Sequence, residues 1–211
     1  MTSRLRRRLL GALAAAAATT AVVAVPAPAT QAWTLPTLAQ ILLADSALDN
    51  SYGFDGFSAD FDIVTQAVLE FPDLVAAASS TSSNLTVFLP TDQAFRSTYY
   101  AVTGTYIWSE RSLFNALVTA FGIDGIEEIL TYHIIGGARI SYSTALASDG
   151  ADLTTLNGET IEVDVVGTWW KRVVLRDQAA TLRDPMVIVP NVRASNGIAH
   201  AIDRVLIPTL G

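Results

Sequence analysis

The chain contains no cysteine. That excludes disulfides, cysteine-ligated zinc and lipid attachment through an N-terminal cysteine, and it leaves the fold to stand on packing alone. Histidine is nearly absent too, with only His133 and His200. Basic residues number 13 against 20 acidic ones, and only one of them is lysine. Four of the arginines (Arg4, Arg6, Arg7 and Arg8) precede residue 33 and no acid does, so the chain beyond that point has nine basic and twenty acidic residues, a net charge of −11. Such a surface repels nucleic acid and anionic lipid, which both require cationic patches. No G-x-S-x-G elbow, Gly-rich phosphate loop or dinucleotide fingerprint appears. What is present in quantity is apolar: hydrophobic residues make up 51% of the chain and charged ones 16%, enough for a packed core.

The N-terminus has the three regions of an export signal. The arginine cluster leads into the uncharged run Leu9–Val25, and Pro26 and Pro28 then break any helix. Ala27-Pro28-Ala29 and Thr30-Gln31-Ala32 offer small residues for cleavage after Ala29 or Ala32. The expectation is a signal peptide over 1–32 and a secreted product with no stable membrane span. Sec and twin-arginine export both fit Arg6-Arg7-Arg8-Leu9-Leu10. The alternative is an uncleaved anchor, because the run sits at the lower limit for crossing a bilayer.

Residues 33–59 form a lead-in whose second half, Asp49–Phe57, is rich in Gly, Asp and aromatics. Its oxygens match no EF-hand spacing. Phe61, Val64, Val68 and Leu69 then fall on one helical face, with Asp60 as the expected N-cap. Pro72 marks a break or a new helical start, with Leu74 and Val75 apolar behind it. Leu85–Leu89 reads as a strand stopped by Pro90, and Thr91 or Asp92 caps the helix that carries Phe95. Asp124-Gly125-Ile126-Glu127 has the form of a capping box. The helix behind it places Ile126, Ile129, Leu130 and His133 on one face and ends at Gly136-Gly137. Beyond this the period becomes two. Asn157-Gly158 and Asn196-Gly197 are type I′ turn pairs between alternating runs, and Val173–Leu175 is a further strand. Helices first and antiparallel hairpins second define an α+β domain over 60–211.

Three blocks in order resemble the fasciclin (FAS1) domain. The first is Thr86-Val87-Phe88-Leu89-Pro90-Thr91-Asp92-Gln93-Ala94-Phe95. The second is Leu130-Thr131-Tyr132-His133-Ile134-Ile135-Gly136-Gly137, with Gly136 where the family commonly has proline. The third runs from Ala194 through Asn196, Gly197, His200 and Asp203 to Pro208 and follows the family's C-terminal signature almost letter for letter. The resemblance implies a β-wedge or sandwich of antiparallel hairpins packed with a helical layer. It also implies a secreted binding or cell-adhesion module without cofactor, for a cell-surface, matrix or glycan ligand. Thr91, Asp92, Phe95, Tyr132, His133, Asn196, Gly197, His200, Asp203 and Pro208 are then structural motif residues.

Catalytic readings are weak. Ser195, His200 and Asp203 are close in sequence, but strand alternation sends His200 and Asp203 to opposite faces. Asp203 is expected to tie down a neighbouring loop or arginine. Asp177, Asp184, Asp149 and Asp152 have no specific calcium spacing. The candidate ligand surface is Tyr132 with His133, which the family resemblance associates with receptor binding, together with Trp169-Trp170. In a strand one of those tryptophans would face inward and the other outward. The alternatives are a hydrolytic or small-molecule pocket near His133 and His200, and a structural cell-envelope protein.

Overall fold

The computed structural model describes residues 34–46 and 53–209. The signal-peptide expectation and residues 47–52 of the lead-in lie outside them. In chain order the elements are α1 (Leu38–Ser46), α2 (Asp62–Leu69), α3 (Pro72–Ser79), β1 (Leu85–Pro90), α4 (Asp92–Thr103), α5 (Glu110–Tyr132), β2 (Ile134–Gly136), α6 (Tyr142–Leu146), β3 (Asp152–Thr154), β4 (Thr160–Val166), β5 (Arg172–Arg176), β6 (Val187–Ala194) and β7 (Gly197–Ile202). Helices in the first half and strands in the second give the α+β class, as expected.

The strands form a four-stranded sheet, β2-β1-β7-β6, and a three-stranded sheet, β3-β4-β5. Hairpin pairing predominates, but β1 runs parallel to β7, from Leu85 opposite Gly197 to Pro90 opposite Ile202. This parallel pair was not anticipated, and it makes the first sheet an interior layer. Leu85 and Leu89 of β1 pack into an apolar cluster with the helices, beside Ile63, Phe95, Leu113 and Leu130. Phe88 points the other way, into a second cluster with Tyr132, Ile161, Val163, Leu175 and Ile202 that joins the two sheets. With both faces covered, every residue of β7 is buried.

Several local expectations need correction. Helix α2 starts after Phe61, not Asp60, and no side chain of its own caps it. Its Ile63 N–H donates instead to Asp92 Oδ1 at 3.0 Å, so the acid expected at the start of α4 caps a neighbouring helix. Thr91 caps α4, accepting from Ala94 N–H. The break before the second half of α5 falls at Gly122 (φ 68°, ψ 177°), two residues ahead of the supposed capping box. That helix also ends at Tyr132, and Ile134–Gly136 become a strand against β1.

Neither Asn-Gly pair is a type I′ turn. At the first, only Gly158 has positive φ (92°), and the Asn157 side chain accepts from Glu159 N–H inside the loop. At the second, neither Asn196 nor Gly197 has positive φ. Gly197 is required by proximity: a Cβ there would lie 2.6 Å from the carbonyl oxygen of Leu85. Asn196 is fully buried, accepts from Leu38 N–H at 2.9 Å and donates to Ala78 O at 2.7 Å, so its amide ties α1 and α3 to the sheet.

Candidate functional site

Both imidazoles are interior, 3% and 2% exposed. His133 closes the C-terminus of α5. Its Nδ1 lies 2.7 Å from Ile129 O, and its Nε2 lies 3.0 Å from Leu206 N. A carbonyl only accepts and a backbone N–H only donates, so the ring is the neutral Nδ1–H tautomer. Burial pushes its pKa down to about 4, with the Ile129 hydrogen bond opposing. His200 is the opposite tautomer. Its Nε2–H faces Ile140 O at 2.9 Å and its Nδ1 accepts from Asn191 N–H at 3.4 Å, while its ring packs near Phe88. Burial lowers its pKa as well. No ring nitrogen is left over for a proton transfer or a metal.

The hydrolase constellation does not assemble. Ser195 Oγ is buried and has no hydrogen-bond partner. Asp203 accepts from Met186 N–H at 2.7 Å and pairs with Arg183 at 3.2 Å, clamping the loop ahead of β6. Tyr132 is fully buried, and its hydroxyl donates to Thr160 O at 2.9 Å, joining the end of α5 to the start of β4. Burial raises its pKa to about 12. Tyr132 and His133 therefore present no surface to a partner. Phe95 and Pro208 are buried in the packing.

Two of the four acids considered for calcium are already engaged by backbone donors. Asp177 accepts from Ala179 N–H and Ile207 N–H, and Asp149 accepts from Val165 N–H. Among the described residues, carboxylate oxygens instead converge where the segment before α2 meets α4 and α5. Oxygens of Asp55, Asp62 and Glu110, and of Asp60, Asp92 and Glu110, lie within 4.8 Å of one another. By spacing, each trio offers three hard ligands of the kind calcium takes. Arg96 already neutralises the acid they share, with its guanidinium 2.6 Å from Glu110 Oε1 and both side chains buried. Asp60 Oδ1 and Asp92 Oδ2 remain buried without a partner. A proton on either of these neighbouring carboxyls would supply a donor within the cluster. Burial is the main cause raising both pKa values, reinforced by neighbouring acids. Distance in the sequence hid this cluster. Its one local sign is Arg96, a guanidinium beside buried Ala94 and Phe95.

Two aromatic surfaces stand out. Trp169 and Trp170 are 93% and 86% exposed. They lie at the tip of the β4–β5 hairpin, beyond the Val166–Arg172 pair, so neither faces inward as strand alternation had suggested. Gly167 (φ 99°) allows the tight return, since a Cβ there would meet the carbonyl of Trp170 at 2.5 Å. Exposed Lys171 and Arg172 follow. The second surface, unnoticed in the sequence, sets Tyr100 edge-on to Tyr106 and Tyr106 tilted against Trp108, with ring centroids 6.2 and 4.6 Å apart.

Comparison with known proteins bears on the same region. The fasciclin domain model matches residues 59–208. A curated protein of Synechocystis sp., Protein sll1483, is 28% identical over 144 residues, covering 68% of this chain and 66% of the relative. Among solved structures, a FAS1 domain pair from the insect cell adhesion molecule Fasciclin I superposes with a TM-score of 0.53 at 18% identity, covering 82% of this chain and 51% of that one. The chain thus spans just under two thirds of that relative and about half of the domain pair. The likeness to the pair is one of fold.

Proposed function

The chain belongs to the fasciclin domain family, and from that premise we propose that it is a secreted, non-enzymatic binding and adhesion module whose ligand is engaged by the Trp169–Trp170 hairpin tip. The observation that carries this reading is the exposure of two adjacent indoles at a hairpin tip beside two cations. Soluble proteins seldom leave such rings in water without a partner. Indole faces stack on sugar rings or partner side chains, and Lys171 and Arg172 add attraction for anionic groups. The ligand class is a cell-surface, matrix or glycan molecule. The occupied nitrogens of His133 and His200 favour binding over turnover.

Export rests on the arginine cluster and apolar run ahead of residue 33. Among the described residues no helix is long and apolar enough to cross a membrane. Mass spectrometry of culture supernatant tests export: a chain beginning near residue 33 supports it, and retention of the intact N-terminus in the membrane fraction rejects it. Glycan-array and matrix-protein screening of the wild-type chain beside a Trp169→Ala/Trp170→Ala variant tests the tip. Loss of the captured ligand at an unchanged melting temperature is expected, and equal capture by both proteins rejects the assignment.

A further inference from the structure

A crevice of about 200 Å³ lies between α4 and the two halves of α5, floored by Ile63 and Ala67 of α2 and closed on a third side by Val205 and Ile207. The rings of Phe95, Phe114 and Phe121 line it. For scale, an engineered apolar cavity of about 150 Å³ stays dry and takes up benzene. Close-packed interiors rarely keep a void of this size, because the atoms lining it forgo their dispersion contacts. It opens to solvent beside Val102, which is 58% exposed.

The lining chemistry specifies the occupant. Two of its hydroxyls are already engaged with the backbone: Thr98 Oγ1 accepts from Val205 N–H, and Thr103 Oγ1 donates to Tyr99 O. No acid, base or amide borders it. A polar molecule entering would lose its hydration and find little to replace it. An apolar one would release poorly bonded water and gain close contact with aromatic and aliphatic walls. A docked protein segment fits less well, since the void is re-entrant and bounded on three sides.

We propose that this crevice is a binding site for a small uncharged apolar molecule, an aromatic or a medium-length hydrocarbon chain. The site is distinct from the tryptophan tip, and its lining shares no residue with it. Its mouth lies beside exposed Val102 of α4, and the non-helical backbone at Gly122 separates the two halves of α5 that form one wall.

Titration of the purified protein with N-phenyl-1-naphthylamine, an uncharged probe that fluoresces in apolar surroundings, tests the proposal. Saturable one-to-one binding is expected. Ala67→Leu fills the floor and should weaken it at least tenfold with no fall in melting temperature. Val102→Asp places a carboxylate at the exposed mouth, where the fold tolerates it, and should also weaken binding at least tenfold. Trp169→Ala/Trp170→Ala should leave the probe's affinity unchanged, which separates this site from the hairpin tip. Absence of saturable binding, or binding indifferent to both crevice substitutions, overturns the proposal. So does sedimentation showing that the crevice is covered by a second copy, with a dimer that Val102→Asp dissociates and no probe bound to the monomer.

Discussion

His133 donates to Ile129 O and accepts from Leu206 N–H, so it fastens the end of a helix to the C-terminal segment with one ring. Protonation at Nε2 would remove the acceptor that Leu206 needs. The folded pKa, about 4, lies below the about 6.5 of a free histidine. Its stabilisation is therefore complete above pH 6.5 and is lost as pH falls toward 4. The Asp60–Asp92 pair has the opposite sign. Its acids are raised from the usual carboxylate range, Asp60 to about 7, so their contribution is complete below pH 4 and declines as pH rises through neutrality. The two effects oppose each other between pH 4 and 6.5, and above that only the acid pair acts. Urea midpoints should accordingly fall from pH 6.5 to 8 in the wild type. In Asp92→Asn, whose amide can donate to Asp60 and accept from Ile63, the slope should flatten. Equal slopes would show that neither acid holds a proton there. His133→Ala should cost about 3 kcal/mol in chemical denaturation, from an orphaned carbonyl and N–H plus a cavity.

At the level of elements, the β1–β7 parallel pair is the contact on which both cores depend. Gly197 sits at its first register position, where Leu85 O allows no Cβ. Gly197→Ala should cost about 2 kcal/mol or more, since the clash is with backbone and cannot relax by a rotamer change. Gly158→Ala, in an open loop with positive φ, should cost about 1 kcal/mol. Denaturation of the two variants side by side checks the order, and a costlier Gly158 change would refute it. The same elements show what could be read in advance. The β4 strand is legible because Ile161 and Val163 alternate with charged neighbours, and α3 is legible because Pro72 pre-sets its first turn. Strand β2 is not, because three residues leaving a helix have no period of their own. The parallel pairing was hidden for a related reason: register between distant segments follows from packing and leaves no local pattern. Asn196 and Gly197 were rightly singled out but for turn chemistry, when a buried amide and a close backbone approach are what they supply.

For the molecule as a whole, every histidine nitrogen is committed to internal bonds, while Trp108, Trp169 and Trp170 stand in solvent. Nitrogen-detected NMR of the imidazole rings across pH 6 to 8 tests this division. Expected are two neutral rings of opposite tautomer, His133 carrying its proton on Nδ1 and His200 on Nε2, with neither titrating in that range. A ring that titrates near pH 6.5, or exchanges between tautomers, would contradict it and reopen an enzymatic reading.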